Sequence, residues 1–308
     1  MPEYHVVSVG KKFPFAFARR NDDGSIRLRY RYRAGRPQFK DVVPAAEDTV
    51  ETALQAALYT KEPVELFKSL LAPGQVYARM QRIPLGMTYR DAPPLAHLHS
   101  EACAATLRAG SFLVDLLREL FRHAEPSPAN DNCFGQATRQ LIVLACTEVE
   151  AGLRAALRAN DTSVSADRRL SMNDYVRLRD PMRLGEWSVA LVLHPGYPTI
   201  RPFESWNSAT PTQSLEWYDA YNAIKHDRES AISRASLKHA IQAVAAAVVV
   251  AAAQFGSEVV ASFRNFEEFS VRAPKWSYTE LYVPPALHAD ADARRAWVEV
   301  PFFHAGSP

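Results

Sequence analysis

The chain has 308 residues, of which 47% are hydrophobic and 23% are charged, and its formal net charge is +2. These values are typical of a folded globular protein with one large or two ordinary domains, and they argue against a disordered or fibrous chain. The spacing of the three cysteines does not match a zinc site or a redox motif, and an odd number of cysteines does not suit a secreted disulfide scaffold. We therefore expect a cytoplasmic protein. No signal peptide is apparent, and the apolar segment between Gln242 and Gln254 is shorter than the roughly 20 residues of a bilayer span. We therefore expect a buried core helix there and no membrane partner.

The first 40 residues are strongly basic and predict β structure. They hold ten lysines and arginines against three acidic residues, a net charge of +7, whereas the rest of the chain carries −5. From Ile26 to Arg33 apolar and basic residues alternate, which predicts a strand that pairs with residues 13–18 across the turn at Asn21–Gly24. Two interpretations of the basic face are open, a solvated or charge-guarded edge and an open row that binds RNA or phosphate. The residues of this row are Arg27, Arg29, Arg31 and Arg33.

Helical periodicity dominates the middle of the chain. Two short helices are expected between Glu47 and Leu71, the second opening at Pro63, followed by a return to strand from Gln75 to Ile83. Apolar residues at three-and-four spacing predict long helices over residues 96–123 and 134–159, and residues 161–214 predict long loops with short elements. A helix is expected to start near Thr210-Pro211, and another to end at Gly256.

Aromatic and β-branched residues return in the tail, in FSVRAPKW, ELYVPP and WVEVPFF. The sequence thus predicts an α+β fold, mainly α, with a helical centre flanked by a mixed or β layer from both ends. We divide it into a basic α/β region (1–95), a helical bundle (96–257) and a β-rich tail (258–308) that packs on the first region. Whether the terminal β segments share one sheet is left open.

The segment WYDAYNAIKHDRES, from Trp217 to Ser230, is the candidate site. On a helix Asn222 and His226 share a face, and Trp217, Tyr221, Lys225 and Arg228 lie on an adjoining face. Cations near a helix C-terminus are also favoured by the macrodipole, so a purely structural role is the alternative.

The order Tyr221-Asn222-Ala223-Ile224-Lys225-His226, between a helix containing LIVLACTEVE and a long apolar helix, resembles the HEPN (higher eukaryotes and prokaryotes nucleotide-binding) superfamily over residues 133–257. The resemblance implies a helical bundle, and in many members a metal-independent ribonuclease acting as a homodimer. The family signature is an arginine, four to six residues, and a histidine, often as Arg-Asn-x-x-x-His. Asn222 and His226 match it, but positions 219–221 are Asp, Ala and Tyr. A second spacing, Arg234 with His239, lacks the asparagine.

Two functions follow as hypotheses. In the first, the protein binds RNA or nucleotide and cleaves single-stranded RNA with no metal or cofactor. His226 is the general acid or base, Asn222 orients it or the phosphate, Lys225 and Arg228 stabilise the phosphate, and Trp217 and Tyr221 stack a base. In the second, the domain is a catalytically inactive interaction module. Glu148 and Glu150, two residues apart, cannot share a helix face, and one of them is expected to pair with Lys225, His226 or Arg228.

Overall fold

A computed structural model of the protein shows an α+β fold that is mainly helical. It describes residues 3–10, 14–31, 37–82, 98–227, 229–262, 268–283 and 297–303. The chain divides into two compact units, which we call the sheet unit and the helix unit. The sheet unit comprises Met1–Val76, Arg82–Pro93 and Lys275–Val300, and the helix unit comprises Tyr77–Gln81, Pro94–Pro274 and Pro301–Pro308.

The sheet unit contains a five-stranded antiparallel sheet of order β4-β3-β2-β1-β5. The predicted hairpin is confirmed, because β2 and β3 pair in register across a turn in which Gly24 has a φ of 82°. The five strands are β1 (Glu3–Val9), β2 (Pro14–Arg20), β3 (Ile26–Arg31), β4 (Pro37–Val42) and β5 (Val64–Lys68).

One face of this sheet packs against helix α1 (Val50–Ala57), where Leu28 and Leu54 are fully buried. The first of the two predicted short helices is therefore confirmed, but the second is wrong. The residues after Pro63 form β5. This strand pairs antiparallel with β1, and Val7 lies opposite Leu66. A five-residue segment carries little periodicity, and this long-range pairing decides its structure.

The tail contributes to both units without joining the five-stranded sheet in the described strands. Leu281 and Val283 pack on the face of the sheet opposite α1, against Val6 and Phe17. Two further pairs of strands form separate small sheets. These are β6 (Gln75–Tyr77) with β9 (Val298–Val300), and β7 (Ser188–Leu191) with β8 (Phe269–Arg272).

The helix unit is built around one buried helix, α6, which packs against α2, α3 and α5. Gly152 of α3 permits the close approach of α6, because a Cβ there would lie 2.6 Å from Val250 Cγ1. The helices are α2 (Ser100–Phe121), α3 (Gln136–Asn160), α4 (Met172–Tyr175), α5 (Glu216–His226), α6 (Leu237–Phe255) and α7 (Ser257–Ser262).

The predicted apolar core helix is confirmed as α6. Among the described residues it is the one helix long and apolar enough to cross a membrane, and 83% of that stretch is buried inside the protein. It ends at Gly256, whose φ of 108° is a conformation that suits glycine.

The long segment before α5 has short elements, as predicted, and it supplies large core side chains. Trp187 and Trp206 are buried, and each indole N–H donates to a backbone carbonyl, Met182 O at 3.1 Å and Pro211 O at 2.9 Å. Helix α5 starts at Glu216 rather than near Thr210-Pro211, because residues 211–214 form turns.

Candidate functional site

Two aromatic side chains of α5 proposed to stack a base are core residues. Trp217 is 2% exposed, its indole N–H donates to Pro202 O at 2.8 Å, and its ring meets Phe203 edge-on. Tyr221 is 4% exposed. A base cannot reach either ring without displacing the core, so the stacking role expected of them is wrong for this conformation. Together with Ile224 they form one buried stripe along α5.

Tyr218, which the sequence did not single out, joins α5 to α3. Its hydroxyl donates to Glu150 Oε1 at 2.7 Å, and burial together with this carboxylate raises the pKa of Tyr218 far above its usual value. Glu150 therefore faces α5, as expected for one of the two glutamates, but the residue it hydrogen-bonds is a tyrosine rather than a cation of the candidate site.

Lys225 is anchored by a neighbouring aromatic side chain. Its ammonium donates to the hydroxyl of Tyr221 at 3.1 Å and lies 5.1 Å from the centre of that ring. The contact with Tyr221 raises the pKa of Lys225, and the carboxylate of Glu150 adds to the shift. The cation is thus held at the exposed end of α5, and within the described part of the chain two of its three N–H groups are left for other acceptors.

His226 is the last residue of α5 and is exposed, whereas Asn222, one turn earlier, is half-buried. The next residue, Asp227, accepts hydrogen bonds from the backbone N–H and the hydroxyl of Ser230, which lower its pKa. His226 is not buried against Glu148 or Glu150. Arg228 lies outside the described residues.

Glu148 belongs to a different surface of α3. It lines a cavity of about 230 Å³ between α2, α3 and α6, together with Arg79 and the buried Gln254. Arg79 Nε donates to Gln254 Oε1 at 2.8 Å within this cavity. The two glutamates thus face different neighbours, as their spacing requires.

The second arginine–histidine spacing is brought close to α5. Arg234 pairs with Asp219 at 2.6 Å, and Lys238 pairs with Glu216 at 2.9 Å. The ring of His239 donates from Nδ1 to Arg234 O at 2.8 Å, because a carbonyl can only accept, and burial lowers the pKa of His239. The chain therefore places an arginine beside position 219, one of the three positions (219, 220 or 221) at which the HEPN signature allows its arginine. Position 219 is seven residues before His226 in the helix, a rise of about 10.5 Å.

The basic row lies in the sheet unit, apart from α5 in sequence. Arg27 and Arg29 are half-buried on β3, Arg31 ends that strand, and Arg33 lies outside the described residues. Within the described part of the chain, no group of three or more histidine, cysteine, aspartate or glutamate side chains is arranged to hold a metal.

Comparison with known proteins gives no assignment. No protein-family model, no curated protein and no solved structure matches this chain.

Proposed function

We propose that this chain is a HEPN-like protein that binds RNA or a nucleotide at the exposed end of α5 and cleaves single-stranded RNA without a metal. The observation that carries the proposal is the exposure of His226 next to Lys225. A histidine that only stabilised the core would be buried or paired with Glu148 or Glu150. The arrangement of α2, α3 and α5 around the buried apolar helix α6 fits a HEPN-like bundle.

The proposed reaction needs a base and an acid. One imidazole removes the proton of a ribose 2′-hydroxyl, whose oxygen attacks the adjacent phosphorus. The bond to the 5′-oxygen breaks, and that oxygen takes a proton from a protonated imidazole. The product ends in a 2′,3′-cyclic phosphate. A homodimer that brings two copies of His226 together supplies both groups.

The phosphate must be held by side chains rather than by the helix. The C-terminal end of α5 carries partial negative charge, which disfavours an anion. Lys225 offsets this charge, and its anchoring by Tyr221 keeps the ammonium in place. Asn222 is one turn before His226 and orients the imidazole or the phosphate. Arg228 is assigned the second cation in this proposal.

The second candidate function is a catalytically inactive interaction module. The burial of Trp217 and Tyr221 favours it, because most of α5 then serves the core. The pairing of Arg234 with Asp219 also favours it, since the arginine nearest the expected position is already neutralised. In both functions we place the protein in the cytoplasm as a homodimer.

The test is incubation of the purified protein with labelled single-stranded RNA in EDTA. We compare wild type with His226→Ala and with His123→Ala, a control histidine in the turn just after α2 whose side chain is 74% exposed. Metal-independent cleavage to 2′,3′-cyclic ends, lost in the His226 variant and kept in the His123 variant, supports the ribonuclease. Cleavage that survives His226→Ala would overturn it. A wild type that cuts nothing, with a dimer weakened by His226→Ala, indicates the interaction module.

A further inference from the structure

The sheet of the sheet unit has a second face that carries arginine and aromatic side chains. Ile26 and Leu28 of β3 are buried towards α1, so the alternate residues Arg27 and Arg29 point to the opposite face. Strand register sets their neighbours. Arg29 lies between Phe17 and Phe39, and Arg27 lies between Arg19 and Asp41. We call Arg19, Arg27, Arg29 and Phe39 the cationic face.

The tail covers one end of this side of the sheet. Leu281 and Val283 pack with Val6 and Phe17, and Tyr278 contacts Phe67 with ring centres 4.7 Å apart. These contacts lie over β5, β1 and β2. At the other end, on β4, the side chain of Phe39 remains 43% exposed. In the part of the chain that the structure describes, this side of the sheet is therefore apolar and covered over β5, β1 and β2. The cationic face lies beside that covered part and ends at the exposed ring of Phe39.

Among the described residues, the charges of Arg19 and Arg27 are poorly balanced. Arg19 and Arg27 are direct cross-strand neighbours, an arrangement of like charges that destabilises a sheet. The nearby acid, Asp41, is 3.9 Å from Arg27 and its side chain is 69% exposed. Arg19 and Arg27 each keep an Nε atom that is shielded from water and has no hydrogen-bond partner among the described residues.

The aromatic edge completes the arrangement. The guanidinium of Arg27 lies 5.7 Å from the centre of the Phe39 ring. An exposed ring flanked by guanidinium groups offers a stacking surface next to phosphate donors. Bases in a duplex are already paired and stacked, so such a ring is used by unpaired bases.

We propose that the cationic face binds single-stranded nucleic acid, with a base stacked on Phe39 and the backbone phosphates on Arg19, Arg27 and Arg29. The inference deepens the proposed function, and rests on it, because it adds a separate binding surface for the same ligand, single-stranded RNA. Binding at this face is measurable apart from cleavage.

The experiment measures fluorescence polarisation with a labelled single-stranded DNA of about 12 nucleotides, a length within the site sizes of such surfaces. DNA lacks the 2′-hydroxyl and cannot be cut by the proposed reaction, so binding is isolated from cleavage. Three phosphate contacts predict a slope of log K against log salt of about −2 for a single strand. A hairpin duplex of the same sequence is the second probe.

Two variants and two matched controls locate the surface. Phe39→Leu keeps an apolar side chain, removes the stacking ring and weakens binding about tenfold. The double variant Arg27→Gln with Arg29→Gln reduces the salt slope to about −0.7. Arg20→Gln, an exposed arginine of β2 on the opposite side, and Tyr59→Leu, an aromatic residue that is 89% exposed, leave binding unchanged.

The outcomes separate this inference from the proposed function. Equal affinity for the hairpin and the single strand, or binding unaffected by Phe39→Leu and by the double variant in folded protein, would overturn the inference. The same holds if wild type binds no single strand at all. If His226→Ala loses RNA cleavage but Phe39→Leu does not change DNA binding, the proposed ribonuclease is supported. The cationic face is then not the binding surface. If the variants locate DNA binding at the cationic face but wild type cleaves no RNA, the binding surface is supported and the proposed ribonuclease is overturned.

Discussion

The hydrogen bond from Tyr218 to Glu150 is expected to stabilise the packing of α5 on α3, and Tyr218→Phe removes it with little change in shape. The donor–acceptor distance is 2.7 Å and the acceptor is a carboxylate. A hydrogen bond to a charged group contributes about 1.5–3 kcal/mol. The side chain of Glu150 is 22% exposed and lies 3.9 Å from Arg154, so water and that arginine replace part of the lost bond. We therefore expect the variant to lose about 1–2 kcal/mol of unfolding free energy.

Urea unfolding measures the loss directly. Thermal unfolding provides a second estimate, since 1 kcal/mol corresponds to about 2–4 °C in a domain of 150–250 residues. Tyr59→Phe is the control, because that side chain is 89% exposed. A Tyr218→Phe protein within about 0.5 kcal/mol of wild type, the range of an ordinary surface substitution, would refute the reasoning.

Tyr218 also predicts how the unfolding free energy changes at alkaline pH. The pKa of Tyr218 is raised in the folded protein by burial and by Glu150, whereas in the unfolded chain it has its ordinary value near 10. Above that pH the unfolded state loses a proton that the folded state keeps, so the stability contribution falls as pH rises. The decline above pH 10 should be shallower in Tyr218→Phe than in wild type.

Two further predictions concern α6 and its neighbours. Gly152→Ala should lower the unfolding free energy by about 1 kcal/mol, because about 2 kcal/mol of overpacking against Val250 exceeds the roughly 1 kcal/mol that alanine adds in a helix. In a Val250→Ala background, Gly152→Ala should instead raise the unfolding free energy. Urea unfolding of wild type, the two single variants and the double variant tests this, and additive effects of the two substitutions would contradict it. Burial holds the pKa of His239 below its unfolded value of about 6.5, so its contribution to stability is lost as pH falls below that value. His239→Gln should flatten the unfolding free energy measured between pH 7.5 and 5.5, and an unchanged slope would show that other groups control acid stability.

Periodicity predicted the elements whose pattern is long or strictly alternating. The hairpin of β2 and β3 follows from alternation beside a turn, and α6 follows from its unbroken apolar stretch. The strand β5 could not be predicted in the same way, because five residues after Pro63 fit either structure. Its pairing with β1 is made more than 50 residues away in the chain.

The sequence predicted the helix that carries the candidate site but not the orientation of its side chains. A helix containing Trp217 and Tyr221 has the same sequence whether the rings line a cleft or fill a core. Their burial is decided by partners from distant segments, such as the carbonyl of Pro202 and the ring of Phe203. Tyr218 illustrates the same point, since its partner Glu150 is 68 residues away.

The distribution of charge along α5 limits where an anionic substrate can bind. The first half of the helix has Glu216 and Asp219 neutralised by Lys238 and Arg234, so neither cation there is available without breaking an ion pair. At the other end Lys225 donates to a neutral hydroxyl rather than to a carboxylate, and Glu150 acts on it only through its charge. Among the described residues, a phosphate approaching α5 therefore meets a lysine outside any direct ion pair beside His226, and ion-paired cations near Asp219. This asymmetry is why the proposed chemistry belongs at the C-terminal end of the helix, although the helix dipole alone would direct an anion to the other end.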